Sequence, residues 1–583
     1  MFKKAIGICS ISALLLLIGC GGGTDSSGDG ASGSSDAAEA TATSSESNSD
    51  ESSDEASSAQ KPYGTLTFAL EGIGPVQLYH PTTADPAQRW QTTHIFETGF
   101  KADADTTEST PWLIKNWSVS ADNKTWTFEL EEGIQFHRGW GEFTAEDFVW
   151  NVEINMPEDV LNITGSVLNR VINPAGGGYI KATGSHTVEI FTGDRDSFDL
   201  LWPFTYGKGV PIPMQSKAYV ESVGPETAAV DNVGTGSWEW VEGSSNDFLR
   251  FKAVEGHWRN TPNFEFFEML EIPEESTRIA AFEAGQIDIL MHNLDSIPAI
   301  EKVEGAQFVQ TPGALLWLNL HGNNCSGDPA PLAGNQPWVS SNCDLNSQEW
   351  KNAVKVRQAL SLAVDRQSIV NNLLLGFGNV ASSYTFHNLE GLAPFNTGDV
   401  KFGYDVAGAK KLMAEAGYAD GFEINMALTT RPAPANQESG EAICVMWQEL
   451  NVTCSPQERV GMGDFRPYFI DRNFEGANTH AGGPGLEPSG AYQFMHSRNL
   501  LNFSGTHPEL DRLIEVAEST WDFDDRVQAG WAIEQFLHDN MMNIPTVGTA
   551  GVYAIGPKIA PWHDQAGAVG GDIDGFELVP HAE

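Results

Sequence analysis

The sequence predicts an α/β protein of more than one domain, on three observations. The chain runs to 583 residues, whereas single hydrophobic cores stop growing at roughly 250–300 residues. Short stretches that alternate apolar and polar side chains, as half-buried strands do, recur between longer segments with helical spacing. Apolar residues make up 41% of the chain, with 31 Phe, 17 Trp and 11 Tyr, which is ample for a large core and excludes global disorder.

The elements follow in chain order. Thr65 to Leu70 alternates like a strand, and so does Lys124 to Leu130, with Trp126, Phe128 and Leu130 on one face. Thr144 caps a helix whose first turn carries Glu146 and Asp147. Gly234 and Gly236 are read as a tight turn into the strand at Trp238-Glu239-Trp240. Ser276 to Ala284 reads as a helix stopped by Gly285 before the strand Ile287 to Leu290. Val354 to Leu374 forms one long helical pattern with an internal Asp365-Arg366, expected as a structural ion pair. Ala407 to Ala416 is a helix ending at the C′ glycine Gly417, and Glu438 to Leu450 and Pro508 to Ala517 are amphipathic helices. No period of 20–50 residues recurs, so a solenoid is not expected.

Charge narrows the function classes. The chain has 33 Lys+Arg and 78 Asp+Glu, a formal net charge of −45. Nucleic-acid binding needs basic patches that displace counterions, so a polyanionic partner is excluded. Residues 1–20 read as an export signal: Lys3 and Lys4 precede an apolar run, Ala5 to Ile18, that is too short to span a bilayer. Leu17-Ile18-Gly19-Cys20 resembles a bacterial lipobox, which makes Cys20 the expected site of lipidation. Residues 21–60 are Ser, Gly, Ala, Thr, Asp and Glu almost throughout, the composition of a disordered, solvated tether. The expected location is therefore the cell envelope, on the extracytoplasmic face, held to the membrane by lipid alone.

Four further cysteines, Cys325, Cys343, Cys444 and Cys454, lie in the body. Four allow three pairings, which the sequence leaves open. The short separations favour local pairing, Cys325–Cys343 and Cys444–Cys454. Zinc is the competing reading, but there is no C-x-x-C and no His at finger spacing.

At several of these segments the chain resembles the large solute-binding proteins of the peptide, nickel and opine family, family 5, which serve ABC importers. The resemblance opens at Pro111 to Phe128, with Trp117, Asp122 and Trp126, and continues through Gly133, Phe136-His137 and Phe143 to Phe148. It runs on through Val233 to Trp238, His257-Trp258, Thr277 to Leu290, Val356 to Arg366 and Tyr404 to Tyr418, in family order. It implies a two-lobe, periplasmic-binding-protein-like α/β fold with hinge strands. The first lobe would be residues 61–312, with an extra subdomain at about 93–231. The second lobe would be 313–546, and 547–583 would return to the first. The implied function is capture of a solute in the interlobe cleft for an ABC permease and ATPase, by a monomer without cofactor or metal.

The same resemblance places the cleft near Trp317-Leu318-Asn319 and His480 to Glu487. Trp317 and Asn319 become candidates for packing against and hydrogen-bonding the cargo, with His480, Gly482, Gly483 and Glu487 opposite. Arg472 falls near a position where some relatives turn arginine toward a ligand's carboxyl end. In dipeptide and oligopeptide binders an aspartate shortly before an acidic-Pro pair holds the peptide's ammonium. Here Glu487-Pro488 is that pair, but His480 to Leu486 contains no carboxylate. The expected cargo is a peptide or peptide-like solute not held by a free amino terminus, with an oligosaccharide as the alternative. Nickel is the least expected, because the 14 His are scattered. A cleft-bearing hydrolase is the alternative of another class. It lacks support, since G-x-S-x-G, H-E-x-x-H and the P-loop pattern are absent. Asp103 to Glu108 begins like a calcium loop but has Glu108 where glycine is needed.

Overall fold

The structure, a computed structural model of the chain, describes residues 61–583 except 83–88, 103–108, 158–159, 161, 163, 195–197, 208–210, 328–330, 333–335, 385–402, 431–432, 457–459, 483–489, 500–501, 503–504, 563–572 and 583. The signal, Cys20 and the tether therefore lie outside the described residues. Among the described residues no helix is long and apolar enough to cross a membrane.

Alternating strands build one mixed eleven-stranded sheet. Its strands in chain order are β1 Thr65–Leu70, β2 Trp238–Ser244, β3 Phe248–Ala253, β4 Phe266–Glu271, β5 Ile289–Met291 and β6 Gln307–Leu320. They continue as β7 Gly378–Val380, β8 Glu423–Ala427, β9 Thr453–Pro456, β10 Ala477–Gly482 and β11 Asn543–Ile555. The spatial order is β9-β8-β10-β6-β11-β5-β1-β4-β3-β2, with β7 also paired to β11. The edge beyond β5 is built on β1, which runs parallel to both β4 and β5.

Two strands are much longer than the others. β6 and β11 pair antiparallel from Gln307↔Ile555 to Asn319↔Asn543, and they join the two ends of the sheet. Their register shifts between Pro312 and Leu315, where the proline has no N–H to give. Threonine hydroxyls take over there. Ala314 N donates to Thr549 Oγ1 at 3.0 Å, and Thr546 Oγ1 donates to Leu316 O at 2.7 Å. A Cβ on Gly313 would fall 2.0 Å from Thr549 O, so only glycine fits beside the partner strand. The expected lobe boundaries, 312/313 and 546/547, both fall inside this crossing pair.

Apolar side chains cover the sheet in separate clusters. Leu66, Phe68, Phe251, Phe267 and Phe576 fill the end around β1. Leu316, Leu318 and Leu320 point from β6 into a cluster with Val356, Leu360 and Trp447. On its other face, Leu315 and Trp317 join Tyr492, Leu510 and Ile533. Each fully buried side chain of this size contributes about 1.5–3 kcal/mol.

A second sheet stands on residues 114–191, an antiparallel set of Ile114–Val119, Thr125–Leu130, Thr187–Phe191 and Tyr179–Gly184 in that spatial order. Trp126, Phe128 and Leu130 are buried together, as their alternation predicts, against Phe148 and Val152 of the helix Ala145–Glu153. That helix opens on a capping box: Thr144 N and Oγ1 both donate to Asp147 Oδ2, at 3.0 and 2.8 Å.

Two local expectations are revised. The long pattern Val354 to Leu374 is two helices, Gln348–Leu362 and Arg366–Asn372. Asp365 breaks it by capping the second, its Oδ1 accepting from Ser368 N at 2.9 Å. Asp365 and Arg366 are therefore not an ion pair: the buried guanidinium donates to Pro545 O at 2.9 Å and to Ser361 O at 3.1 Å. Gly236 lies in the bend at 235–237 that precedes β2, and both glycines also serve a close approach: a Cβ on Gly234 would fall 2.2 Å from Ile95 O and one on Gly236 2.4 Å from His94 O.

Both local cysteine pairs are bonded in the structure, Cys325–Cys343 with Cα atoms 5.6 Å apart and Cys444–Cys454 at 5.1 Å. The second ties the helix Asn436–Trp447 to β9, the terminal strand of the sheet. Closing a loop of this length stabilises by about 3 kcal/mol in the chain-entropy view. Replacing Cys444 and Cys454 together by alanine should lower the urea stability by about that amount, read from equilibrium denaturation. An unchanged curve contradicts the assignment.

Candidate functional site

The candidate wall is built on β6 and β10, whose register sets Leu315 opposite Gly482, Trp317 opposite His480 and Asn319 opposite Asn478. Strand alternation puts Trp317 and Asn319 on the face away from the Leu316-Leu318-Leu320 cluster. Both are buried, Trp317 at 3% exposure and Asn319 at 0%.

A chain of neutral hydrogen bonds runs along this face. Trp317 Nε1 donates to Asn319 Oδ1 at 2.8 Å, and Asn319 Nδ2 donates to Asn478 Oδ1 at 3.1 Å. His321 Nε2 lies 2.7 Å from the same Oδ1. Burial pushes the His321 pKa down to about 4, so at neutral pH the ring is uncharged and acts here as a donor. The His480 ring lies 4.5 Å from the Trp317 ring and Tyr384 meets the indole edge-on at 4.8 Å. Tyr384 N and Tyr492 Oη both donate to the buried carboxylate Glu534, each at 2.8 Å.

The sequence-predicted residues divide accordingly. Trp317, Asn319, His480 and Gly482 are brought together. A Cβ on Gly482 would fall 2.7 Å from Trp317 Cη2, so the space that glycine leaves is filled by the indole and not left open for cargo. Arg472 is engaged with backbone: it donates to Ser497 O at 2.5 Å, and to Ser326 O and Asn499 O at 3.4 Å each. Gly483 and Glu487 lie outside the described residues. Asn478 and His321 were missed, although the period-two spacing of 317, 319 and 321 and of 478 and 480 marks them. Tyr384 and Glu534 carry no local signal.

A second polar site lies away from this wall, a cavity of about 50 Å³ lined by Glu97, Lys101, Trp112, Tyr206, Trp238 and Glu577, among others. Ligand pockets are roughly 300–1,000 Å³, so this one has room for a few waters rather than for a peptide-sized cargo. Buried Glu97 accepts from Trp112 Nε1 at 2.8 Å and from Trp258 Nε1 at 3.0 Å. Lys101 Nζ sits 5.1 Å from the Trp112 ring centroid and the Arg259 guanidinium 3.8 Å from the same ring.

The comparisons with known proteins agree with this architecture. Residues 108–499 match the model of the bacterial extracellular solute-binding proteins, family 5 (middle). The chain belongs to that family. It is a family of solute-binding proteins, not of enzymes. The nickel-binding periplasmic protein of Escherichia coli is 27% identical over 354 residues, a match spanning 59% of each chain. The heme-binding protein A of Haemophilus influenzae is 23% identical over 484 residues, 78% of this chain and 81% of the relative. Among solved structures, the periplasmic binding protein DppA of Helicobacter pylori, in complex with the peptide STSA, superposes with a TM-score of 0.69. That match has 18% identity and covers 89% of this chain and 98% of the other. The fold is therefore the mixed α/β periplasmic-binding-protein fold.

Glu97 generates a pH dependence. Burial pushes its pKa up from 4.5 to about 7, so the folded chain holds a proton that the unfolded chain releases between those values. The stability that neutral Glu97 contributes is full below pH 4.5 and is lost as pH rises through 7. Over that window the thermal midpoint of Glu97→Gln should fall less steeply with pH than the parent's. Parallel slopes would falsify the assignment.

Proposed function

We propose that this family member is the solute-capturing lipoprotein of an ABC importer. On this reading it takes a peptide or peptide-like solute into a cleft between two lobes, residues 61–312 with 547–583 and residues 313–546, and delivers it to the permease and ATPase. A cleft between hinged lobes buries most of a small cargo and reports its presence as a change of shape. The crossing of β6 and β11 supports it, because these strands link the two ends of the sheet at the expected boundaries.

The observation that carries the cargo assignment is the neutrality of the side chains bonded along the described wall, the Glu534 carboxylate behind it being taken up by Tyr384 N and Tyr492 Oη. Trp317, Asn319 and Asn478 carry a ring and amides bonded to one another, His321 is an uncharged imidazole, and the Arg472 charge is directed to three carbonyls. Burying an ammonium without a partner costs several kcal/mol, so a free peptide amino terminus is not the anchor. Calorimetry with unmodified di- and tripeptides should give no binding tighter than about 100 μM, near −5.5 kcal/mol. Mass spectrometry of whatever co-purifies with the chain should show a blocked or longer peptide. Micromolar binding that disappears on N-acetylation, or a co-purifying oligosaccharide, overturns the cargo assignment.

The anchor is assigned to Cys20 on the lipobox and the tether composition. Because one acyl chain binds a membrane only marginally, stable anchoring needs more than one. Cys20→Ser should move the protein from the membrane fraction to the soluble one. Continued partitioning with membranes contradicts the lipidation.

A further inference from the structure

The two proposed lobes meet at a second place, through residues that belong to neither β6 nor β11. Trp126 lies on the strand Thr125–Leu130, and Arg170 on the helix Thr164–Ile172 that packs in the same core. Glu518 ends the helix Pro508–Glu518, and Trp521 follows before the helix Phe523–Asn540. The Trp126 and Trp521 rings stack with centroids 5.1 Å apart and planes at 28°. Arg170 Nη1 lies 3.1 Å from Glu518 Oε1, with side-chain exposures of 13% and 3%. Trp521 packs against the core of residues 100–214, although its own segment belongs to the other proposed lobe.

Glu518 has a second cation. Arg498, from its own side of the molecule, also donates to Glu518 Oε1. Removing the sole partner of a buried charge is strongly destabilising. Here, if the regions part, Glu518 keeps Arg498 while the Arg170 guanidinium gives up its bond to Glu518. Trp126 Nε1, buried without an acceptor among the described residues, would be hydrated by the same movement. The contact therefore closes on a low-exposure ion pair and an indole stack, and opens without stranding a charge. It is built for reversibility.

We infer that Trp126–Trp521 and Arg170–Glu518 form a latch across the cleft. These residues hold the two lobes in the closed pose and position the cleft walls without touching the cargo. The inference rests on the two-lobe reading above. The latch moves the closed fraction by its differential interaction with the two poses, and the apparent affinity for cargo follows that fraction.

Spin labels on Ala182→Cys and Glu441→Cys, exposed positions in the two regions, report the separation in the intact chain by double electron–electron resonance. Arg170→Met and Trp521→Leu should each shift population to a distance distinct from the parent's main one. Arg170→Met leaves Glu518 paired with Arg498, so it decides the matter if Trp521→Leu folds poorly. Two populations in unchanged proportion across parent and variants overturn the latch and leave the lobes standing. A single unchanged distance throughout overturns both.

Discussion

The antiparallel pairing of β6 with β11 is the constraint on which the rest of the fold depends. Every other strand of the large sheet connects through this pair, β10 on one side and β5 on the other. The pair also sets the register of the candidate wall, because Trp317 and Asn319 sit on β6 opposite Pro545 and Asn543. A ladder of this length is interrupted where Pro312 and Gly313 fall. The hydroxyls of Thr546 and Thr549 bond backbone atoms there. These side-chain bonds satisfy backbone groups that the interrupted ladder leaves without a cross-strand partner.

Charge is distributed with the same economy. The chain is strongly acidic, yet its buried arginines are held by carbonyl oxygens. Arg357 donates to Asn540 O and Trp338 O at 2.9 and 2.6 Å, and Arg278 to Ile272 O, Pro273 O and Met291 O. Burial pushes the pKa of Arg357 and of Arg366 down to about 9, which still leaves both charged at neutral pH. The five donors of a guanidinium span several loops at once, which a lysine's single ammonium cannot do. Most carboxylates are left at the surface, where they favour solubility and repel anionic partners.

The candidate wall was partly legible in advance. Trp317, Asn319, His480 and Gly482 converge because a period-two pattern on paired strands keeps alternate residues on one face. What that pattern did not convey is occupancy. The indole of Trp317 takes the space above Gly482, so the glycine there records a ring packed on backbone. Arg472 likewise looked available as a lone cation, but three carbonyls from residues distant in sequence receive it. Neither partner set is adjacent in the chain.

The sequence by itself determined the local grammar: the strand faces at Thr65–Leu70 and Thr125–Leu130, the Thr144–Asp147 capping box and the C′ glycine at Gly417. These depend on neighbours within a few residues, so periodicity and capping chemistry suffice. It also determined the net acidity and, through ordered motifs, the family. Only the tertiary structure decided that Asp365 breaks a helix and that Arg366 turns inward to Pro545. It alone decided that Glu97 is buried beside two indoles, its pKa raised by that burial, and that Glu518 is shared by Arg170 and Arg498. Each of those outcomes compares a short-range option with a partner up to 348 residues away. The packed core supplies that partner and excludes the water that would otherwise compete for it.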